Sequence, residues 1–258
     1  MSAPIRAATL FRSPAAREPR RRLFCIPFAG GGVAAFRGWS RGLPDDVELL
    51  VVQLPGRESR LREPPFDDIP EIVEAIRPMV ADASELPYAL FGHSMGALVA
   101  FELALALEAS AQGGPEHLFV SARRPPDEPE PDPLVHALPD EAFVDELQRR
   151  YRAIPDAVRQ EPELLALLLP TLRADIRAIE RYTPSSPRKV RCPVHVFGGV
   201  QDTYPRPAQL PGWQRVAEQG VRVRLFPGNH FYLAEQQAAL LADISATWAD
   251  DLLPGGHP

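Results

Sequence analysis

A serine lies between two glycines in the segment 92–96, which reads Gly-His-Ser-Met-Gly. The segment follows the apolar run Tyr88 to Phe91 and precedes a helical pattern, so the chain reads strand, sharp turn, helix, as in a nucleophile elbow. The glycines fit this arrangement, because the turn is strained and a Cβ atom beside the serine would collide with a neighbouring element. The pattern therefore predicts that Ser94 is a nucleophile. The alternative is a glycine-flanked turn with a structural role.

A serine hydroxyl needs a base to remove its proton, and the base needs an acid that holds its tautomer. In the order serine, acid, histidine, the chain offers Asp202 and then His230, each just after a β-type run. The carboxyl ends of parallel strands share one sheet edge, so both side chains are predicted to reach Ser94. Asp127, in a proline-rich segment, is the rival acid. The other histidines occupy less suitable positions, in the elbow, in strands, in an inserted segment and in the tail: His93, His117, His195, His136 and His257.

Acyl transfer also needs backbone N–H donors around the oxyanion of its tetrahedral intermediate. Met95 is one candidate, because it follows the nucleophile at the predicted start of a helix. The glycine-rich segment Phe28 to Gly32, after the first strong β-type run, contains the other. This segment lacks the lysine of a Walker A loop and the spacing of a dinucleotide-binding loop, so phosphate binding is the weaker interpretation.

The composition limits the possible function classes. With 258 residues and 45% hydrophobic content, the chain can bury a sizeable core. The formal net charge of −6 gives no basic field, so we expect no nucleic-acid partner. Cys25 and Cys192 show no metal-ligand spacing and are predicted to be reduced, buried strand thiols, with a disulfide as the lesser alternative. Met1 to Ser13 lacks the apolar region of a signal peptide, so a cytoplasmic protein without a membrane span is expected.

Short apolar runs alternate with helical patterns along most of the chain. The predicted strands are Leu23 to Pro27, Glu48 to Gln53, Tyr88 to Phe91, His117 to Ala122, Val194 to Gly198 and Val221 to Phe226. The predicted helices among them are Val33 to Arg41, Ile69 to Ala83, Met95 to Ala109, Ala208 to Gln219 and Gln236 to Leu252. This alternation predicts an α/β fold with a mostly parallel central sheet and helices on both faces.

One part of the chain departs from this alternation. Arg124 to Pro133 is rich in proline and acids and is interpreted as a stiff linker. Pro139 to Tyr151 and Glu161 to Tyr182 follow as helical patterns with no β-type run between them. We therefore predict a core formed by residues 1–123 and 186–258, into which a proline-rich linker and helical lid, residues 124–185, are inserted.

Leucines occupy almost every face of the pattern between Leu164 and Leu172. Such a helix either packs on several sides or lines an apolar chamber. The chamber interpretation predicts that Leu165, Leu168 and Leu172 form a substrate pocket, and core packing is the alternative. Five arginines near this segment could meet an acidic partner, or form an ordinary solvated face: Arg123, Arg124, Arg149, Arg150 and Arg152.

Five segments together resemble the type II thioesterases that accompany polyketide and nonribosomal peptide synthases. They are Pro-Phe-Ala-Gly-Gly at 27–31, Gln-Leu-Pro-Gly-Arg-Glu at 53–58, Gly-His-Ser-Met-Gly at 92–96, Arg-Ala-Asp at 173–175 with Tyr182, and Gly-Asn-His-Phe at 228–231. The resemblance spans about Leu23 to Leu253 and implies an α/β-hydrolase fold. Those enzymes remove stalled or wrong acyl groups from the phosphopantetheine arm of acyl or peptidyl carrier proteins.

The resemblance implies a triad of Ser94, Asp202 and His230, with the backbone N–H groups of Ala29 and Met95 as the oxyanion hole. We expect no cofactor, no metal and a monomer. The last segment departs from the family in reading Gly-Asn-His where a second glycine is common. Chain-releasing thioesterase domains more often place the acid after the strand that ends here at Ala122. No acid follows directly there, which favours the stand-alone editing type.

Other functions remain open at this point. A medium-chain fatty acyl thioesterase would use the same mechanism and differ only in chain-length preference and carrier. A carboxylesterase or lipase would hydrolyse oxygen esters far better than thioesters. A carrier-binding protein with an inactive hydrolase fold would not need all three triad groups in order, so the complete triad argues against it.

Overall fold

The computed structural model describes residues 7–13, 17–110, 113–129, 132–184 and 188–250, with the side chains of 249 and 250 excepted. Within them, seven strands form one sheet in the spatial order β1-β3-β2-β4-β5-β6-β7. They are β1 (Thr9–Arg12), β2 (Arg21–Ile26), β3 (Val47–Gln53), β4 (Tyr88–His93), β5 (His117–Ser121), β6 (Val194–Gly199) and β7 (Val221–Phe226). Every neighbouring pair is parallel except β1 with β3. The predicted fold class and the six predicted strands are confirmed.

The edge strand β1 was not predicted. It runs antiparallel to β3, with Thr9 opposite Gln53 and Arg12 opposite Leu50. Only four residues long and mostly exposed, it contains too few apolar positions to produce a recognisable pattern.

Seven α-helices surround the sheet in the described residues. They are α1 (Ile69–Asp82), α2 (Met95–Glu108), α3 (Asp140–Tyr151), α4 (Asp156–Arg159), α5 (Pro162–Arg181), α6 (Tyr232–Glu235) and α7 (Gln237–Asp250). Helix α2 is buried on nearly all sides, because it packs between the sheet and α1. This explains its uniformly apolar sequence, rich in alanine and leucine.

Two predicted helices differ from the structure. Val33 to Arg41 contains two short 3-10 helices, Val33–Phe36 and Trp39–Arg41, because Gly38 between them has a φ of +83° and cannot continue a helix. Pro207–Val216 is a 3-10 helix rather than the α-helix predicted at 208–219, and Pro211 inside it lacks the backbone N–H that an α-helix would need there. The last predicted helix, Gln236 to Leu252, corresponds to α7, and the short α6 before it was not predicted. Its predicted end, Leu252, lies outside the described residues.

Helices α3, α4 and α5 follow one another between β5 and β6 in the chain. No strand lies between them in the described residues. The helices predicted at 139–151 and 161–182 are confirmed, and the short α4 was missed. The start of the predicted linker packs against the fold, because Arg124, Pro125 and Pro126 are buried, whereas Asp127 and Pro129 are exposed. Residues 130 and 131 of that linker, and the predicted boundary at 185, lie outside the described part of the chain. That this insert acts as a lid stays a prediction.

Alternate residues of the strands supply two cores, one on each face of the sheet. In β2, Phe24 and Ile26 belong to one cluster, while Leu23 and Cys25 belong to the other. The insert joins the first cluster through residues of α5 that include Ile176 and Ile179. This period of two is the ordinary consequence of a pleated strand buried on both sides.

Cys25 and Cys192 are free and buried, as predicted, but only Cys25 lies in a strand, because Cys192 precedes the start of β6 at Val194. Burial raises the pKa of the Cys25 thiol well above its usual range. Among the described residues, no helix is both long and apolar enough to cross a lipid bilayer.

Candidate active site

The nucleophile elbow forms where β4 passes into α2. Ser94 separates the two elements with φ 54° and ψ −112°, a strained conformation for a residue with a side chain. A Cβ on Gly92 would lie 2.0 Å from the carbonyl oxygen of Gly96, and one on Gly96 would lie 2.1 Å from that of Ile26. Both positions therefore require glycine, because neighbouring backbone lies too close to leave room for a side chain. The elbow predicted from the sequence is confirmed as a structure.

The predicted acid and base come together at the carboxyl ends of β6 and β7. His230 Nδ1 lies 2.9 Å from Asp202 Oδ2, and both side chains are almost fully buried. The other carboxylate oxygen of Asp202 accepts a hydrogen bond of 2.9 Å from the backbone N–H of Tyr204. Since the carboxylate binds Nδ1, Nε2 is the ring nitrogen that could serve as a base. Ser94 and His230 line the same small cavity.

The rival acid, Asp127, is placed elsewhere. Its carboxylate is exposed and binds the guanidinium of Arg215, at 2.7 Å from Nε and 2.9 Å from Nη2. The structure thus brings Asp202, and not Asp127, to His230.

The two predicted oxyanion donors belong to segments that meet at this cavity. Ala29 lines it together with Ser94 and His230. Met95 is the first residue of α2, so its amide is one of the N–H groups that the helix leaves unbonded at its start. The Ala29 loop turns through Gly30, which has a φ of +74°, and the N–H of Gly31 donates to the carbonyl of Phe28 at 2.8 Å.

A chain of buried polar groups lies behind the elbow. His93 Nδ1 is 2.8 Å from Ser121 Oγ, and that hydroxyl is 2.6 Å from the hydroxyl of Tyr232. Burial holds the pKa of His93 well below its usual range, and the nearby His230 adds a smaller effect of the same sign. His93 was noted in the sequence, but Ser121 and Tyr232 were missed. The three residues lie on three different elements, so no local spacing predicts that they form one hydrogen-bonded chain.

An apolar cavity of about 160 Å³ adjoins the Ser94 cavity. The two cavities share a wall formed by Phe28, Ala29, Ala153 and Leu172. Leu168 and Leu172 line the larger cavity, as the chamber hypothesis predicts. Leu165 is not among the lining residues and packs against the hydrophobic core, as the alternative predicts.

The five arginines do not form one solvated face. Arg123, Arg124 and Arg150 are buried. Arg150 donates to the carbonyl of Pro133 at 2.8 Å and pairs with Glu146 at 3.2 Å. Arg149 and Arg152 are exposed, and Arg149 is already paired with Glu146 and Asp132 at 2.9 Å. The idea of a five-arginine docking face was therefore wrong for the three buried members.

A mostly parallel sheet, a nucleophile elbow, and a histidine and acid after the last two strands define an α/β-hydrolase fold. The model of the thioesterase domain family matches residues 21–248, and the chain belongs to that family. It is therefore a serine hydrolase of the thioesterase type.

Similar proteins have known places in biosynthesis. The chain is 39% identical over 220 residues to gramicidin S biosynthesis protein GrsT of Aneurinibacillus migulanus, covering 85% of this chain and 86% of that protein. It is 40% identical over 228 residues to thioesterase PikA5 of Streptomyces venezuelae, covering 87% and 79%. The solved structure of type II thioesterase BorB from the borrelidin biosynthetic cluster superimposes with a TM-score of 0.82 at 33% identity, covering 95% and 98%. The resemblance to type II thioesterases is confirmed.

Proposed function

We propose that this chain hydrolyses acyl thioesters on the phosphopantetheine arm of acyl or peptidyl carrier proteins, and so clears stalled or aberrant acyl groups from a polyketide or nonribosomal peptide synthase. One observation carries the proposal: Ser94 and His230, which is hydrogen-bonded to Asp202, line one cavity that adjoins an apolar chamber. Membership of the thioesterase family supports the thioester as substrate, and the biosynthetic relatives support the carrier as its source.

In the proposed mechanism, Ser94 Oγ attacks the thioester carbonyl while His230 Nε2 takes the serine proton. Asp202, bound to Nδ1, stabilises the imidazolium that forms. The N–H groups of Ala29 and Met95 stabilise the oxyanion of the tetrahedral intermediate. The carbon–sulfur bond then breaks, and the pantetheine thiol leaves with the proton held by His230.

The second half of the cycle uses the same groups. Water attacks the acyl-Ser94 ester as His230 takes one of its protons, and a second oxyanion forms at the same N–H groups. When this intermediate collapses, His230 returns the proton to Ser94 Oγ and the free acid leaves. The cycle needs neither a metal nor a cofactor.

The insert has a role in this proposal. Helix α5 supplies Leu168 and Leu172 to the apolar chamber, so residues 124–185 would form a lid over the acyl chain. The polar pantetheine arm then reaches Ser94 from the side on which the carrier docks. We take the enzyme to be a cytoplasmic monomer, and sedimentation of the purified chain in the analytical ultracentrifuge measures its oligomeric state directly.

The experiment compares three substrates with one acyl group: acyl carrier protein, acyl-coenzyme A and a p-nitrophenyl ester. We expect kcat/KM to be highest for the carrier-bound thioester and to vanish in Ser94→Ala, whose fold is checked by thermal melting. A second series varies the acyl length on the carrier protein, and preference for fatty acyl carriers of one chain length there would indicate the medium-chain fatty acyl thioesterase. Preference for the oxygen ester would indicate a carboxylesterase. Carrier binding without turnover would leave a non-catalytic carrier-binding protein.

A further inference from the structure

A buried ion pair joins three separate segments beside the Ser94 cavity. Arg57 follows β3, Asp175 belongs to α5, and Gly30 lies in the loop after β2. Arg57 Nη1 and Nη2 each lie 3.0 Å from a different oxygen of Asp175, and the side chains are only 3% and 0% exposed. The same Asp175 accepts a hydrogen bond of 2.7 Å from the backbone N–H of Gly30. Such a two-point pair fixes orientation as well as distance.

The pair binds both a backbone N–H and a backbone carbonyl of the loop that carries Ala29. Asp175 takes the N–H of Gly30, while Arg57 Nη1 donates to the carbonyl of Gly31 at 3.1 Å. Glu58 holds the following residues, since its carboxylate accepts from the N–H groups of Val33 at 3.0 Å and Ala34 at 2.8 Å. The backbone directly after Ala29 is therefore tied to side chains from outside its own loop.

Helix α5 contacts the same loop with a second side chain. Leu172, one turn before Asp175, lies over Gly30 so closely that a Cβ on that glycine would be 2.5 Å from Leu172 Cδ2. Thr171 donates to the carbonyl of Gly56, next to Arg57. The insert thus contacts the Ala29 loop and also the turn at Gly56 that precedes Arg57.

The ion pair is a poor device for stability alone. Burying two charges costs about as much free energy as their attraction returns, so apolar replacements of similar volume often stabilise a protein. The position of the pair beside the Ala29 loop suits a different role, because a buried ion pair can fix a single conformation of the backbone that it binds. Removal of one partner leaves a buried charge without compensation and frees the loop beside Ala29.

We propose that Arg57 and Asp175 are positioning residues that hold the Ala29 N–H in the oxyanion hole, and that the hole is complete only while α5 of the insert is docked on the loop. This rests on the proposed function, in which Ala29 is an oxyanion donor. The proposal links lid movement to catalysis. If α5 moved away from the sheet domain, Asp175 would be withdrawn from both the Gly30 N–H and the Arg57 guanidinium. A lid that opened would then switch off hydrolysis as well as uncover the chamber.

Three variants test the proposal: Asp175→Asn, Arg57→Lys, and Arg22→Gln as a matched control. Arg22 forms a comparable buried pair with Glu48, Nε to Oε2 2.9 Å, between β2 and β3 and away from the cavity. Each protein is assayed for kcat and KM on p-nitrophenyl butyrate, for affinity towards a trifluoromethyl ketone that forms a tetrahedral oxyanion on Ser94, and for affinity towards an uncharged alkyl thioether.

We expect Asp175→Asn and Arg57→Lys to lower kcat roughly 10- to 100-fold, as misplacement of one catalytic group does, with parallel weakening of the trifluoromethyl ketone. In Asp175→Asn, KM and thioether affinity should stay within about twofold, because Asp175 is not among the residues that line either cavity; Arg57 does line the chamber, so Arg57→Lys is judged on kcat and on the ketone. Arg22→Gln should lower Tm and leave all four kinetic and binding values unchanged. If the two site variants behave like Arg22→Gln, the pair is purely structural and the proposal is wrong.

A double variant covers the case in which a single charge removal prevents folding. Arg57→Gln with Asp175→Asn leaves no uncompensated charge, yet glutamine is too short to reach the new amide on α5 and the Gly31 carbonyl together, so the same loss of kcat is expected. The ketone affinities do not depend on carrier-bound substrate. If the wild type fails to hydrolyse carrier thioesters, the proposed function falls, while the comparison among variants still decides the role of the pair.

Discussion

His230 Nδ1 and Asp202 Oδ2 lie 2.9 Å apart although the two residues are 28 positions apart in the chain. Two parallel strands explain this, because β6 and β7 end at the same sheet edge and Asp202 and His230 follow within four residues of those ends. The pair is almost fully buried, and the second oxygen of Asp202 is held by the N–H of Tyr204. The carboxylate therefore has one orientation, and so does the imidazole that it holds.

Replacing Asp202 by asparagine should lower kcat by roughly 10²- to 10⁴-fold, because an amide that donates towards Nδ1 selects the wrong histidine tautomer. The matched control is Asp127→Asn. It breaks only an exposed pair with Arg215 and should leave kcat/KM unchanged. Steady-state rates on one acyl thioester, with Tm as the check of folding, decide between them. The opposite ranking would make Asp127 the catalytic acid.

Much of this arrangement could be predicted because its elements are local. Strands buried on both faces appear as continuous apolar runs, and the elbow has a fixed spacing of glycines around its serine. Contacts between distant segments leave no such pattern. Arg57 and Asp175 are 118 positions apart, and only the folded chain shows that they form one buried pair at the oxyanion loop.

Other features were hidden for equally physical reasons. Leucines on nearly every face of α5 conceal which face meets the cavity, so periodicity alone did not separate Leu165 from Leu168. Composition likewise treats Arg150 as a surface charge, whereas the fold buries it against Glu146 and a backbone carbonyl. Tertiary packing decides both cases.

Substitution of Gly96 by alanine should reduce turnover about 10²-fold, because the new Cβ would meet the backbone of Ile26 and Pro27 and push α2 away from the Ala29 loop. Gly113→Ala is the matched control. Its Cβ meets nothing within 4 Å, so only the strain of its φ of +82° applies, and Tm falls while kcat/KM is retained. Unchanged turnover in Gly96→Ala would show that the elbow tolerates such a shift.

The depressed pKa of His93 predicts a specific dependence of stability on pH. Below the ordinary histidine pKa, about 6.5, the unfolded chain binds a proton that folded His93 refuses, so stability is lost as pH falls through that value. His93→Asn should remove up to about 1.4 kcal/mol per pH unit of this slope, the value for one proton. Urea unfolding of both proteins between about pH 5 and pH 8 measures the free energy of unfolding across this range. Parallel stability curves for both proteins would contradict the prediction.

The apolar chamber predicts three different outcomes for three leucines of α5. Leu168 lines the chamber, so Leu168→Phe should lower kcat/KM for octanoyl and decanoyl thioesters and spare acetyl thioesters, since each excluded methylene is worth about 1–3 kcal/mol. Leu165 packs against the core, so Leu165→Phe should lower Tm without changing chain-length preference. Leu172 lies over Gly30 as well as in the chamber, so Leu172→Phe should slow every substrate. A chain-length series on carrier-bound acyl groups measures all three. Equal losses for acetyl and decanoyl groups in Leu168→Phe would place the acyl chain outside this cavity.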